Sequence, residues 1–179
     1  MKNMESKITL ELVREEELGD FKRKTQEAFG EAAAEKFGQQ DEQIPEDGDL
    51  DETFYALDAV VYHLVQGNHK VGGAVLSIRM ETQHNALEFF FITPEYQNKG
   101  LGYAAWKAIE EKYPDTKVWQ TVTPYFEKRN IHFYVNKCGF KIIEFWNEYY
   151  PEPDRPMEPA KDEFSVGCDE VFCFEKIMK

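Results

Sequence analysis

The chain of 179 residues reads as one α/β layered domain. Three observations predict this. Segments with strand alternation and segments with helical spacing follow one another as strand, helices, three strands, helix, strand, helix and two strands. No internal repeat, linker or low-complexity segment interrupts that order, so the domain spans residues 1–179. Hydrophobic residues make up 42% of the chain and aromatics 15%, which supplies a substantial core and excludes a wholly disordered chain.

Ile8, Leu10 and Leu12 alternate with Thr9 and Glu11, giving a first strand. Residues 15–37 are helix-rich, with Phe21, Ala28, Phe29 and Ala32 as apolar contacts, and Gly30 and Gly38 are expected to divide them into two helices. Residues 41–52 carry seven acids and no base, broken by Pro45 and Gly48, and read as a mobile loop. Val60, Val61, Tyr62, Leu64 and Val65 give a second strand, Gly67-Asn68 a turn, and residues 71–80 a third strand. After a polar turn over 81–85, residues 86–93 form a fourth strand, ended by Pro94. Leu101, Ala105, Ala108 and Ile109 fall on one face of a helix that ends near Tyr113-Pro114, with Lys107, Glu110 and Glu111 away from that face. Residues 117–123 give a fifth strand, 124–136 a helix, 140–149 a sixth strand and 171–177 a seventh. Between the last two lies a long loop over 152–169 containing Pro153, Pro156 and Pro159.

Net charge is −13, which argues against broad binding to nucleic acid or to anionic membrane, since both need a concentrated positive field. No apolar stretch approaches the roughly 18 residues of a membrane span. Residues 1–7 lack the apolar region of a secretory signal, and Cys138, Cys168 and Cys173 suggest neither a disulfide framework nor a zinc site. Cytoplasm is the compartment expected. His63, His69, His84 and His132 have no metal-ligand spacing, so no metal is expected.

Gln97-Asn98-Lys99-Gly100-Leu101-Gly102 joins the fourth strand to the following helix. A loop in that position opens a helix N-terminus, where backbone N–H groups lack partners and the helix dipole favours anions. Gly100 and Gly102 have no Cβ to keep a phosphate away, and Lys99 adds a positive charge. The loop is a candidate pyrophosphate site. It is neither a dinucleotide-binding fingerprint nor a P-loop.

The stretch Phe91-Ile92-Thr93-Pro94-Glu95-Tyr96-Gln97-Asn98-Lys99-Gly100-Leu101-Gly102 resembles the acyl-CoA-binding core of GNAT-superfamily N-acetyltransferases, whose signature is Gln/Arg-x-x-Gly-x-Gly/Ala after an apolar strand. Asn130-Ile131-His132-Phe133-Tyr134 followed by Cys138-Gly139-Phe140 resembles that family's later helix and Gly-Phe turn. The resemblance covers roughly residues 7–178. It implies the GNAT acyl-CoA N-acyltransferase fold, a mixed, mostly antiparallel seven-stranded sheet flanked by about four helices. It also implies that the fourth and fifth strands splay apart around the pantetheine arm.

By the same resemblance the cosubstrate is acetyl-CoA. Phe90, Phe91 and Ile92 would bind it through their main chain, Gln97, Asn98, Lys99, Gly100, Leu101, Gly102 and Tyr103 would hold its pyrophosphate, and Asn130 would contact it from the later helix. Tyr134 is the candidate general acid, because a phenol stays protonated at neutrality. Glu88 is the candidate base, directly or through water, with alternation expected to put it on the face of Phe90 and Ile92. Two departures from the family pattern stand out. Four residues separate Tyr134 from Gly139, where three are usual, and Glu127 stands seven residues before Tyr134, where the family usually carries asparagine.

The activity implied is acetyl transfer to a primary amine by direct attack in a ternary complex, since no covalent nucleophile stands out. The acidic charge favours a small cationic amine as substrate. The alternatives are a non-catalytic acyl-CoA sensor and an enzyme acetylating a protein or peptide amine. A homodimer is left open.

Overall fold

Seven strands form one sheet in the computed structural model, which describes residues 7–38, 47–153 and 170–178. In chain order the elements are β1 (Ile8–Leu12), α1 (Leu18–Phe37), α2 (Asp47–Phe54), β2 (Ala59–Gln66), β3 (His69–Ser77), β4 (His84–Ile92), α3 (Leu101–Lys112), β5 (Val118–Pro124), α4 (Lys128–His132), β6 (Lys141–Trp146) and β7 (Val171–Ile177). The strand order is β1-β2-β3-β4-β5-β7-β6. Every neighbouring pair is antiparallel except β4 and β5, which are parallel because α3 crosses over between them.

Both faces of the sheet are covered. On one, Leu101, Ala105, Trp106 and Ile109 of α3 pack against Leu64, Leu76, Leu87, Trp119 and Phe174, with Tyr134 and Phe140 completing the cluster. On the other, Phe21 of α1 and Leu50 and Phe54 of α2 pack against Val75 and Phe91. Phe21 sits so close to the sheet that a Cβ on Gly73 would fall 2.5 Å from its ring, so this position of β3 admits only glycine without repacking. Among the described residues, no helix is long and apolar enough to cross a membrane.

Four expectations change. Gly30 does not break α1, because one interior glycine costs only about 1 kcal/mol against alanine. The helix runs on to Phe37 and ends at Gly38, a residue with φ +81°. Half of the expected acidic loop is helix instead. Leu50 and Phe54, four residues apart, bury one side of α2, and Lys22 Nζ of α1 donates to Asp51 at 2.9 Å. The remaining acids, at 41–46, and most of the proline-containing loop, at 154–169, lie outside the described residues. Glu110 is not on an outer face of α3, since its side chain is 9% exposed and accepts from both Lys107 and Lys176. The helix expected over 124–136 is shorter, with α4 passing directly into a π-helical turn, Phe133–Lys137.

The fifth change concerns β4 itself. Phe89 pairs with Val75 but Leu87 pairs with Leu76, so Glu88 is a bulged residue without a partner of its own on β3. The bulge reverses the alternation there. Leu87, Phe90 and Ile92 face the α3 layer and Phe89 and Phe91 the α1 layer. Glu88 does not share the face of Phe90 and Ile92, because its Oε1 accepts from Ser77 Oγ at 2.8 Å on the α1 side.

The start of α1 is tied to the sheet by a single carboxylate. Glu17 accepts from Lys70 Nζ at 2.7 Å and from the Arg14 backbone N–H at 3.1 Å, with His63 Nε2 at 3.3 Å. Burial and the nearby Lys70 charge hold the His63 imidazole below its ordinary value of 6.5. The unfolded chain therefore takes up this proton at higher pH than the native protein, so stability falls as pH drops below about 6.5. Glu17, whose carboxyl is held far below the usual range by Lys70 and Arg14, adds its own loss only under more acidic conditions. Thermal midpoints between pH 7.5 and 5.5 are expected to fall in the wild type. The slope should be shallower in His63→Gln, and an unchanged slope would mean that His63 is not the group responsible.

Candidate active site

Strands β4 and β5 pair only from His84 with Val118 to Leu87 with Thr121. Beyond that point Glu88 bulges, and Thr121 Oγ1 donates to the Leu87 carbonyl at 2.9 Å, ending the ladder with a side chain. β4 continues to Ile92 along β3, whereas β5 ends at Pro124, held only by β7. The edge of β4 that faced β5 is thus left without a partner strand from Glu88 to Ile92. The ring of Phe133 stacks on that of Phe90 with centroids 5.9 Å apart. A cavity of about 620 Å³ opens here, lined by the end of α1, by β4, by the loop into α3 and by α4 with its π-helical turn.

At the far end of β4 the glycine loop takes the shape expected of it. Gln97 Nε2 donates back to the Ile92 carbonyl at 2.9 Å, Asn98 has φ +65°, and Gly100 has φ +74°. Gly100 is the N-cap of α3 and provides no side-chain cap, and the first turn of the helix contains no acid. The N–H groups at this helix end are therefore free to meet an anion, and no carboxylate opposes one there. A Cβ on Gly102 would lie 3.4 Å from the Phe133 ring, an ordinary van der Waals contact, so the start of α3 packs beside the π-helical turn. These features fit the diphosphate of an acyl-CoA.

Tyr134 is 6% exposed and lies at the apex of the wedge, packed between Phe133, Phe140 and Phe174. Burial raises its phenol well above the ordinary value of 10. The one-residue excess between Tyr134 and Gly139 has a structural explanation. Cys138 N–H donates to the Phe133 carbonyl five residues back, at 3.0 Å, so the π-helical turn absorbs the extra residue.

Phe90, Phe91, Ile92, Gln97, Asn98, Gly100, Leu101, Gly102, Tyr103, Asn130 and Tyr134 all line the cavity. Lys99 does not, and its ammonium lies 5.6 Å from the centroid of the Tyr96 ring. Glu88 does not line it either. The charges that sequence reading did not place at the cavity are Lys128, Arg129, Lys137, Glu31, Glu35 and Glu127, the last noted there only as a departure from the family pattern. No motif marks them, because α1, the loop before α4 and the π-helical turn are far apart in the chain. Burial and the neighbouring Glu35 raise the Glu127 carboxyl above its ordinary value. Cys138 is buried and its thiol is pushed up to about 12, which leaves almost no thiolate at neutral pH. The Cys173 thiol is likewise pushed up to about 11.

Residues 16–140 match the model of the Acetyltransferase (GNAT) family. The uncharacterized Bacillus subtilis protein YrkN is 51% identical over 177 residues, which are 98% of this chain and 96% of that one. Among solved structures, a Bacillus subtilis acetyltransferase in complex with CoA superposes with TM-score 0.63 at 19% identity, over 97% of this chain and 99% of that chain. Spermidine N-acetyltransferase from Vibrio cholerae, in complex with CoA and spermine, gives TM-score 0.64 at 13% identity, over 96% of each chain. At such identities the structural likeness establishes the fold.

Gly100 tests the loop directly. Its φ of +74° is open to glycine, whereas alanine there is strained by roughly 1–2 kcal/mol although space is free around it. Gly100→Ala is expected to weaken CoA binding while lowering the thermal midpoint only slightly. Equal CoA affinity in calorimetric titrations of the two proteins would show that the loop conformation does not matter to binding.

Proposed function

This chain belongs to the GNAT acetyltransferase family, and from that premise we propose that it transfers an acetyl group from acetyl-CoA to a primary amine on a small cationic acceptor. The observation that carries this reading is one cavity lined by the uncapped start of α3, by β4 beyond its last pair with β5, and by Tyr134. Acetyl-CoA, when bound, supplies the activated acyl thioester. The chain's own residues bind it, orient it and handle protons. Main-chain groups of Phe90, Phe91 and Ile92 offer a strand edge to the amides of the pantetheine arm, and Gln97 to Tyr103 with Asn130 hold the phosphate end. A backbone N–H near Ile92 polarises the thioester carbonyl.

Tyr134 acts as general acid. Its phenol keeps the proton at neutral pH because burial disfavours the phenolate, and its Oη gives that proton to the departing sulfur. Glu88 takes the proton from the incoming ammonium through water, since its carboxylate is turned toward Ser77 rather than into the cavity. The amine attacks the acyl carbon directly, because among the described residues the two cysteines, Cys138 and Cys173, are buried and protonated. The acidic residues Glu31, Glu35 and Glu127 at the cavity support a cationic acceptor. The Vibrio cholerae fold neighbour, with a polyamine bound, is a precedent of that class.

Thermal stabilisation is the direct test. Acetyl-CoA and CoA at ~100 times their dissociation constants should each add about 2.7 kcal/mol, with no shift from ATP or NAD. Absence of a shift with either thioester or thiol would defeat the cosubstrate reading. Tyr134→Phe is expected to lower kcat by roughly 10²- to 10⁴-fold with little change in CoA affinity. CoA binding without turnover of any amine by the wild type would instead favour a sensor. Glu35→Gln should raise KM for a cationic amine by about two- to fivefold and leave KM for acetyl-CoA unchanged, as loss of a partly exposed charge interaction allows.

A further inference from the structure

Arg129 has no role in the mechanism above, yet its surroundings are unusual for this chain. It lies in α4 on the cavity wall, where its Nη2 donates to Asn98 Oδ1 at 2.5 Å and its Nη1 to Gln97 Oε1 at 3.5 Å. Gln97 in turn donates to the Ile92 carbonyl. A line of hydrogen bonds therefore runs from the end of β4, through the glycine loop, to the start of α4. It joins the two sides of the cavity mouth. Asn98 adopts a left-handed φ of +65°, which is unfavourable for most side chains and tolerated by asparagine. Its side chain serves as an acceptor for Arg129.

The partners of Arg129 are neutral amides. Arg14, Arg23 and Arg79 each pair with carboxylates, whereas Arg129 pairs with none among the described residues. With 34 acids against 21 Lys and Arg in the chain, and with the Glu127 carboxylate an electrostatic neighbour, the guanidinium still donates to amides on the cavity wall. Lys128 and Lys137 line the same cavity. The amides use part of a guanidinium that has five N–H donors, so the group retains its full charge and donors for an anionic ligand.

We propose that Arg129 is a cofactor-selecting residue, whose guanidinium, oriented by Asn98 and Gln97, takes a phosphate group of acyl-CoA. The inference rests on the acetyl-CoA reading and adds to it the residue that distinguishes the phosphorylated cofactor from its phosphate-free arm. Lys99, turned onto Tyr96, is not needed for that contact.

The test is calorimetric titration of the wild type, Arg129→Gln and Arg129→Lys with CoA, dephospho-CoA and acetyl-pantetheine. Arg129→Gln should weaken CoA by roughly 10- to 100-fold, the range for a hydrogen bond to a charged group, and should flatten the dependence on salt. It should leave acetyl-pantetheine affinity unchanged. Arg129→Lys keeps the charge and loses the fork, and should fall between the two. If the 3′-phosphate is the partner, dephospho-CoA will bind wild type and Arg129→Gln alike. If the diphosphate is the partner, dephospho-CoA will weaken in parallel with CoA. Equal weakening of CoA and acetyl-pantetheine would overturn the proposal, because Arg129 would then only shape the loop. Unchanged CoA affinity would overturn it as well. Wild-type protein that binds neither CoA nor acetyl-pantetheine would overturn the cosubstrate reading together with this one, whereas wild-type binding with an unaffected variant removes Arg129 alone.

Discussion

The parallel ladder between β4 and β5 ends four residue pairs after it begins, and the cavity exists because of that ending. Three local causes act together. Glu88 is an extra residue in β4, Thr121 caps the last carbonyl with its hydroxyl, and β5 stops at a proline that has no N–H to offer. The unpaired edge of β4 would carry a penalty if it were buried against apolar groups, since backbone N–H and C=O groups require partners. It faces a cavity, where water or a ligand's amides meet that requirement. The aromatic stack of Phe90 and Phe133 packs the π-helical turn onto β4 beside that edge.

Charge in this acidic chain is divided about the same opening. The net value of −13 describes the long-range field, which repels a polyanionic cofactor and attracts a cation. At the cavity the balance differs. Lys128, Arg129 and Lys137 lie on α4 and its π-helical turn, Glu31 and Glu35 on α1, and Glu127 interacts with both Glu35 and Arg129. Screening limits exposed charges to about 8 Å at physiological salt, so these local groups outweigh the distant excess of acid. Other cations of the protein are engaged elsewhere, Lys22 with Asp51, Lys70 with Glu17, and Lys107 and Lys176 with Glu110.

The parts legible in the sequence were those whose signals are local. Alternation located the strands, and Leu101, Ala105 and Ile109 located the buried face of α3. The glycine loop was legible because a left-handed turn before a helix calls for glycine, and Gly100 does have φ +74°. Where reading failed, a contact distant in the chain decided the outcome. Two apolar residues, Leu50 and Phe54, are too few to announce α2, but they reach a pocket beside Phe21 that the sheet provides. Glu110 reads as a surface residue until Lys176, 66 positions later, arrives beside it. Alternation put Glu88 with Phe90 because a bulge leaves no mark in a run of four apolar residues.

The sequence by itself determined the order of elements, the α/β fold class and the place of the loop from Gln97 to Gly102 before α3, because periodicity, glycine placement and helix ends depend on near neighbours along the chain. It also carried the two motifs that place the chain in its family. Tertiary structure alone decided where β4 and β5 part, that a π-helical turn absorbs the extra residue before Gly139, and that Arg129 lies beside Asn98. The first and last depend on which strands pair and which side chains meet across about 30 residues or more, and no local propensity encodes any of the three.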